Sequence, residues 1–267
     1  MLKNSHPEAP SQNNKNNTQG SLHGTWASRW TFILAATGSA VGLGNIWKFP
    51  YIAGENGGGA FVLVYIACIA IVALPIMVAE VTLGRMGRQS PINTIRNLIK
   101  ESGASKSFGV IGWMGVSAGL MILSYYSVIA GWALNYIEYM ISGVFQDVTA
   151  EQAGTIFDDL MKDKNELIFW QSLFMLMTVV VVMCGIHKGL GLASQILMPL
   201  LFLLLIGLLV FGYQQGDLTG AFNFLFGFNF GSLTWQSVLV ALGHAFFTLS
   251  IGMGAMMVYG AYMPSNT

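Results

Sequence analysis

The sequence carries little charge. Only 9% of its 267 residues are charged, and 12 basic side chains balance 12 acidic ones, whereas an ordinary soluble domain is about 25% charged. A formal net charge of zero excludes nucleic-acid binding driven by basic charge, so no nucleic-acid partner is expected. A chain that is 54% hydrophobic is also not disordered as a whole. The composition therefore indicates apolar side chains that face lipid.

Cysteine and histidine are also scarce. Cys68 and Cys184 lie inside apolar runs, which predicts two small buried side chains rather than a disulfide or a metal site. The four histidines form neither an HExxH motif nor a His/Cys cluster. Since no nucleophile and base or metal-ligand set stands out, the sequence does not predict an enzyme.

Apolar segments dominate the rest of the chain. Residues 1–24 are polar and lack a signal-peptide pattern, which predicts a disordered tail. Six apolar segments follow, at about residues 30–52, 60–83, 108–142, 167–186, 190–212 and 236–263, and about 20 apolar residues suffice for one membrane crossing. The third segment exceeds that length and should tilt or protrude. We expect an all-α membrane domain over residues 25–267 with six transmembrane helices.

The placement of charge predicts the orientation in the membrane. Nine basic residues lie in the tail, in the loop after the second segment and in the loop after the fourth, and the loop after the third segment is acid-rich. By the positive-inside rule the N-terminus is cytoplasmic, in a multi-pass protein of the plasma or inner membrane. The aromatic loop at residues 214–235 is expected at the extracellular face or interface, as an aromatic belt or in a gating role.

Two segments carry residues that weaken a helix at mid-depth. Residues 38–45 read GSAVGLGN and residues 246–254 read FFTLSIGMG, and each glycine costs up to about 1 kcal/mol in a helix. Small residues can instead allow close helix packing, and Thr248 and Ser250 can bond to their own helix. Because the two interruptions lie five segments apart, they indicate a binding site, in which free carbonyls suit sodium and free amides suit a carboxylate.

Charged or titratable side chains within the apolar segments include Glu80, Lys48 and His244. Glu80 is expected to accept hydrogen bonds from the free amides of a broken helix, with a proton or ion site as the alternative. Lys48 is a gate, an ion-pair partner or a side chain that reaches to the interface. His244 is more typical of a packing residue with a hydrogen bond than of a proton carrier.

Several motifs together resemble the neurotransmitter:sodium symporter family, and in particular its bacterial-type sodium-dependent amino-acid transporters. They are Trp26, GSAVGLGNIWKFP at residues 38–50, ENGGGAF at 55–61, Glu80 with Gly84 and Arg85, Tyr125 with Tyr126, and FTLSIG at 247–252. The resemblance extends from about Trp26 to Tyr262. It implies a five-plus-five inverted-repeat fold with helices 1 and 6 broken at mid-membrane, and sodium-coupled symport of an amino acid.

The resemblance also implies roles for individual residues. For sodium it implies two sites, of which the first also uses the substrate carboxylate: Ala40, Asn45 and Thr248 in one, and the carbonyls of Gly38 and Val41 in the other. For the substrate it implies contacts with its carboxylate, its amine and its side chain: Ala40, Gly42, Gly44, Tyr126, Phe247, Thr248, Ser250 and Met253. The implied gate and structural residues are His23, Trp26, Lys48, Glu80 and His244.

Gly42 favours one substrate class. Relatives that carry monoamines have an aspartate at the matching position, which supplies a carboxylate; a glycine there implies a substrate that brings its own. Met253 and Val41 would border a broad apolar side-chain pocket. We therefore expect a neutral, apolar amino acid.

The sequence departs from the family at four places, of which Ser39 in place of an asparagine found in some relatives is a mild change. His23 replaces an inner-gate arginine, so gating could depend on pH. His244 replaces a glutamine close to Lys48 and to Tyr65, which is a chloride-site position in the family, so chloride dependence stays open. The fold pairs five helices with five more, but only six apolar segments occur here. We expect a truncated N-terminal portion that needs a C-terminal half or a homodimer partner. The alternative is a non-transporting membrane remnant or accessory protein.

Overall fold

A computed structural model describes Trp26 and residues 28–263. The predicted tail at residues 1–24 and the gate residue His23 lie outside this range. Helices and turns account for the described residues, with no strand among them, so the predicted all-α class is confirmed. The described helices are α1 Arg29–Ala40, α2 Phe49–Glu55, α3 Gly59–Cys68, α4 Leu74–Gly87, α5 Pro91–Ser102, α6 Gly109–Ser142, α7 Ala150–Lys162, α8 Lys164–Met183, α9 Leu192–Gln215, α10 Leu218–Phe226, α11 Trp235–Thr248 and α12 Ala255–Ala261.

Several helices continue through π-helical turns. Ile69–Ala73 joins α3 to α4, which gives one continuous helix over Gly59–Gly87. Gly44–Lys48 leads into α2, and Ile186–Gly191 leads into α9. Pro50 and Pro75 are the second residues of α2 and α4, so each follows directly on a π-helical turn.

Four helices of the described range are long and apolar enough to cross a membrane: Gly59–Gly87, Lys106–Ser142, Lys164–Met183 and Lys188–Gln215. The first and sixth predicted segments fall short because each is divided, into α1 and α2 and into α11 and α12. These apolar helices are those of a membrane protein, and six crossings remain a prediction. The 34 residues of α6 span roughly 50 Å, against a hydrocarbon core of about 30 Å.

The structure differs from the sequence-based expectations outside the long helices. Helices α5, α7 and α10 lie between the apolar segments, and α10 occupies part of what was expected to be a loop at residues 214–235. Asp217 begins α10 because its carboxylate accepts a hydrogen bond from Gly220 N. Cys184 is exposed, so the prediction of burial was wrong; α8 buries none of its residues and presents an apolar surface outward.

The helix Gly59–Gly87 is the centre of the packing. Its α3 part packs on α11 and its α4 part on α12. Backbones approach closely at Gly84 and Gly260, since a Cβ at Gly84 would overlap Met257 O and one at Gly260 would overlap Val81 O. The buried side chains of this region include Phe61, Ala73, Ala241, Ala245 and Met256.

Two further helix pairs flank this centre. Helix α1 packs on α9, where Gln195 Nε2 donates to Thr31 Oγ1 at 2.9 Å. Helix α6 packs on α8, where Asn135 Nδ2 donates to Glu166 Oε1 at 2.7 Å. Polar pairs of this kind hold apolar helices in register, because an unpaired polar group in hydrocarbon is costly.

We predict that Gly84→Ala destabilises the protein, because the new methyl group must displace the backbone of α12. The expected cost is about 1–3 kcal/mol, typical of overpacking, seen as a lower melting temperature in detergent by size-exclusion after heating. Gly207→Ala in α9 is the matched control, since a Cβ there meets nothing within 4 Å. Equal melting temperatures for the two variants would contradict the prediction.

Candidate functional site

Both interrupted segments are broken, and the breaks face each other. Helix α1 ends at Ala40; the next residue, Val41, donates its N–H to Thr37 O, and helical geometry resumes after Gly42. Helix α11 ends at Thr248, and left-handed φ values follow at Ser250 (53°), Gly252 (83°) and Gly254 (75°). Glycine adopts such angles without the Cβ clash of other residues, which explains why the glycines lie there.

Serine side chains join the two breaks. Ser39 Oγ donates to Ser250 Oγ at 3.0 Å, and Ser250 Oγ donates to Ser39 O at 3.1 Å. Ser250 therefore bonds to the opposite chain segment and not, as one alternative had it, to a carbonyl of its own helix. Its hydroxyl links two segments that are 211 residues apart in sequence.

A cavity of about 240 Å³ lies between the breaks and α6. It is smaller than the pockets of about 300–1,000 Å³ that hold drug-sized ligands, and it suits a smaller molecule. Its lining brings together all eight residues that the resemblance implies for the substrate: Ala40, Gly42, Gly44, Tyr126, Phe247, Thr248, Ser250 and Met253. The remaining lining residues are Gly38, Ser39, Asn45 and Ile122, and none of the twelve carries a charge.

Sequence reasoning assigned no role to Ile122. Its signal was its spacing, since it precedes Tyr126 by four residues on α6 and so lies on the same helix face. Ser39 was noted only as a substitution, and its bond to Ser250 depends on a contact between distant segments that the sequence does not reveal.

Backbone groups of the first break are hydrogen-bonded beside the cavity. Leu43 N donates to Tyr126 Oη at 3.0 Å, and Gly42 O accepts from Asn45 N. These amides begin the outer half of the helix, where the backbone dipoles give a positive end. A Cβ at Gly42 would stand 2.8 Å from Tyr126 Oη, and one at Gly44 2.6 Å from Phe247 Cε1. Both positions need glycine for the backbone to stay within reach of the cavity.

Oxygen atoms from the two broken helices converge beside the cavity. Asn45 Nδ2 donates to Ala40 O, and Thr248 Oγ1 donates to Asn45 Oδ1 at 2.9 Å. Tyr65 Oη in turn donates to Thr248 Oγ1 at 2.9 Å. The cluster is made of neutral carbonyl, amide and hydroxyl oxygens, a donor set suited to an alkali cation.

The structure places the second implied sodium set elsewhere. Gly38 and Val41 line a separate cavity of about 620 Å³ between α1, α8 and α9. Gly38 and Ser39 border both cavities, whereas Val41, which was expected beside the substrate side chain, borders the second cavity and not the first. Within the described residues this second cavity has mostly apolar walls, with Thr178 and Ser194 as polar side chains from α8 and α9.

Glu80 bonds to the second break. Its Oε1 accepts from Gly252 N at 2.6 Å, and the side chain is 8% exposed. A free amide at membrane depth requires such an acceptor. This is the contact expected for a structural acceptor, and Glu80 Oε2 has no hydrogen-bond partner among the described residues.

A larger cavity of about 770 Å³ adjoins the first, and we name it the outer cavity. Gly44, Tyr126 and Phe247 border both cavities, so the aromatic pair Tyr126 and Phe247, with ring centroids 6.3 Å apart, separates them. Exposed Lys48 lies on the outer wall. Phe247 therefore lies between the two cavities.

His244 lies in an aromatic cluster on the wall of the outer cavity. Its ring stacks on Phe49 with centroids 5.2 Å apart and lies 5.5 Å from Tyr65. The side chain is 7% exposed, and its Nε2 has no hydrogen-bond partner among the described residues. The structure thus places His244 beside Tyr65, as the sequence comparison with the family indicated.

Trp26 precedes α1, at the end of that helix away from the first break. Its backbone N–H donates to Tyr262 O and its indole Nε1 to Tyr259 O, each at 3.0 Å. The ring is 2% exposed and meets Phe32, Tyr259 and Tyr262 edge-on. Trp26 therefore ties the start of α1 to the end of α12.

Comparison with known proteins agrees with this arrangement. Residues 23–154 match the sodium:neurotransmitter symporter family, and the described structure superimposes on the crystal structure of MhsT in complex with L-phenylalanine with a TM-score of 0.82. The chain belongs to this family. The match to MhsT has 43% identity and covers 92% of this chain and 55% of MhsT.

Relatives of the family share long stretches of this sequence. The "Uncharacterized sodium-dependent transporter YhdH" of Bacillus subtilis is 41% identical over 241 residues, which is 90% of this chain and 52% of the relative. The "Sodium-dependent neutral amino acid transporter B(0)AT2" of Pongo abelii is 37% identical over 111 residues, 42% of this chain and 14% of that protein. This symporter-family chain spans about half the length of the first of these relatives. The family and these relatives are transporters, not enzymes.

We predict that Glu80→Ala lowers the free energy of unfolding by about 1–3 kcal/mol, because it removes the acceptor of Gly252 N–H within an apolar segment. Glu80→Gln keeps an acceptor oxygen and should lose less. Denaturant titration of the symporter-family protein in micelles measures both. Glu138→Ala is the control, since Glu138 is exposed, and a loss as large in this variant would contradict the prediction.

Proposed function

We propose that the protein is a sodium-coupled symporter of a neutral, apolar amino acid. The observation that carries the proposal is the 240 Å³ cavity, which lies between two helix breaks and has no charged side chain in its lining. A buried charge needs a partner, and here the partners come from the ligand and the cation. A zwitterion together with sodium satisfies that requirement, whereas an amine with sodium brings two positive charges and no negative one.

Each charged group of an amino acid has a counterpart in the cavity. The substrate carboxylate is proposed to meet the amides of residues 42–44 and the Tyr126 hydroxyl, which already accepts from Leu43 N. The amine is proposed to meet the carbonyls of Ala40, Phe247 and Thr248 and the Ser250 hydroxyl. The side chain then lies against Ile122 and Met253, which favour an apolar substrate.

Sodium is proposed to bind where the oxygens of Ala40, Asn45 and Thr248 converge, with the substrate carboxylate as a further ligand. This arrangement couples the two solutes, because each brings the charge that the other needs. The Gly38 and Val41 carbonyls are proposed for a second ion beside the neighbouring cavity. Chloride dependence and a homodimer remain predictions.

The names of the relatives support the substrate class. MhsT was crystallised with L-phenylalanine, and B(0)AT2 is named for neutral amino acids. The orientation with the N-terminus in the cytoplasm, in a plasma or inner membrane, is proposed from the distribution of basic residues.

Sodium-dependent binding of radiolabelled leucine or phenylalanine to the purified protein tests the proposal. We expect binding in sodium chloride, none in choline chloride, and no competition by the decarboxylated amines. No binding by this chain, with binding restored when six further helices are supplied, would show that the chain alone is incomplete. No binding of any amino acid in either form would favour the alternative of a non-transporting membrane protein.

We predict that a carboxylate introduced at position 42 replaces the one that the substrate otherwise supplies. Gly42→Asp and Gly42→Asn introduce the same bulk beside Tyr126 Oη, 2.8 Å from the position of a Cβ, and differ only in charge. The ratio of amine binding to amino-acid binding should rise in Gly42→Asp, which supplies the missing carboxylate. An equal ratio in the two variants would argue against the assigned carboxylate position.

We predict that Thr248→Val raises the sodium concentration for half-maximal binding about tenfold to a hundredfold, because an oxygen that bonds to a charged partner contributes about 1.5–3 kcal/mol. Thr248→Ser keeps the hydroxyl and should stay near the parent value. Sodium titration of amino-acid binding distinguishes the two. If Thr248→Val behaves like Thr248→Ser, then Thr248 is not a ligand.

A further inference from the structure

A groove on the proposed cytoplasmic side carries the strongest unassigned feature. A cavity of about 580 Å³ lies between α5 and the beginning of α6, which we name the basic groove. Its lining residues are Ile92, Arg96, Ile99, Lys100, Gly103, Ala104, Lys106, Gly109 and Trp113. It is separate from the cavities at the helix breaks and shares no lining residue with them.

The groove follows from helix periodicity and one turn. Ile92, Arg96 and Ile99 recur at the spacing of one face of α5, and Gly109 and Trp113 do so on α6. Gly103 has a φ of 68° and reverses the chain at the end of α5. The short turn Lys106–Phe108, begun by Ser105, then leads into α6, so the two faces come to stand opposite each other.

Close backbone contacts fix the walls of the groove. A Cβ at Gly112 would stand 2.9 Å from Ile92 Cα, which brings α5 directly against α6. A Cβ at Gly87 would overlap Thr94, and one at Gly254 would stand 2.9 Å from Pro91 Cγ. Because α5 rests on α4, α6 and the second break, the groove is preformed, which lowers the entropic cost of binding.

The charge of the groove is positive and uncompensated. Arg96, Lys100 and Lys106 are exposed, and Glu101, the acid of this segment, does not line the groove. In the part of the chain that the structure describes, the salt bridge found is between Lys162 and Asp159, far from the groove in sequence. Three cations that share one cavity without an acid favour an anionic ligand, and an arginine binds phosphate through two parallel donors.

The apolar walls indicate that the ligand is a lipid. Trp113 is 59% exposed, and tryptophan favours the depth of the headgroups. The exposed face of α6 continues from there with Val110 and Met114, at 59% and 65% exposed. A ligand in the groove therefore meets cations at one end and an apolar helix surface at the other.

We propose that the basic groove binds an anionic phospholipid, with the phosphate at Arg96, Lys100 and Lys106 and the acyl chains along α6. Basic pockets at the cytoplasmic ends of transmembrane helices recognise such headgroups. The site rests on the proposed orientation in the membrane and is independent of sodium and amino-acid binding.

Quenching of tryptophan fluorescence by brominated lipids tests the proposal in reconstituted bilayers. Brominated phosphatidylglycerol in a phosphatidylcholine bilayer should quench Trp113 more strongly than brominated phosphatidylcholine does. Trp113→Phe identifies the signal that belongs to the groove. Equal quenching by the two lipids would overturn the proposal, and so would an excess quenching that persists in Trp113→Phe.

A pair of matched double variants tests the charge. Arg96→Gln with Lys100→Gln should weaken the preference for phosphatidylglycerol about 25-fold, at about fivefold for each basic residue near the surface. Lys162→Gln with Lys164→Gln removes the same charge from the acid-rich loop and should keep the preference. Sodium-dependent amino-acid binding by both variants shows that they are folded, so failure of the lipid site and failure of the proposed transport function are distinguishable.

Soluble anions separate the lipid from a free phosphate. Inorganic phosphate and glycerol phosphate at millimolar concentration should leave the excess quenching unchanged, because neither has acyl chains to contact α6. Displacement of the brominated lipid by either anion would show that the groove takes a soluble phosphate and would overturn the lipid assignment.

Discussion

Backbone polar groups at membrane depth need hydrogen-bond partners, and the arrangement of this symporter-family chain depends on how that need is met. Two helices are broken within apolar segments, where hydrocarbon cannot satisfy the freed amides and carbonyls. Two side chains from other segments take that role, since Tyr126 accepts from Leu43 N and Glu80 accepts from Gly252 N. Within the first segment itself, Asn45 donates to Ala40 O. The partners bring α6 and α4 against the breaks, so the bonds that stabilise the breaks also build the cavity.

Glycine sets how closely those partners approach. At Gly84 and Gly260 the backbones of α4 and α12 touch. Glu80 lies one helical turn before Gly84, so this contact brings Glu80 close to the second break. At Gly42 and Gly44 the missing side chains leave room for Tyr126 and Phe247 beside the cavity. Substitutions at the two pairs therefore have different effects. A side chain at Gly84 or Gly260 changes helix packing, whereas one at Gly42 or Gly44 fills the space that a ligand would use.

Much of the fold was predictable because membrane helices show themselves as long apolar runs, and the two breaks showed themselves as glycine clusters. The set of residues around the cavity followed from family motifs, which the structure brings to one place. Ile122 and the Ser39–Ser250 bond were not predicted, since a contact between segments 211 residues apart leaves no local pattern. Helices α5 and α10 were not predicted, because short helices between the apolar segments lack the length that marks a membrane span.

The contacts of Trp26 affect how readily a ligand could enter the site from the side opposite the outer cavity. Two hydrogen bonds and three edge-on aromatic contacts hold the start of α1 to the end of α12. At about 0.5–1.5 kcal/mol for each hydrogen bond and a similar amount for each aromatic pair, separating them costs several kcal/mol. A conformer opened at this end must give up these contacts. A ligand that makes that conformer common must bind it more tightly by a matching factor.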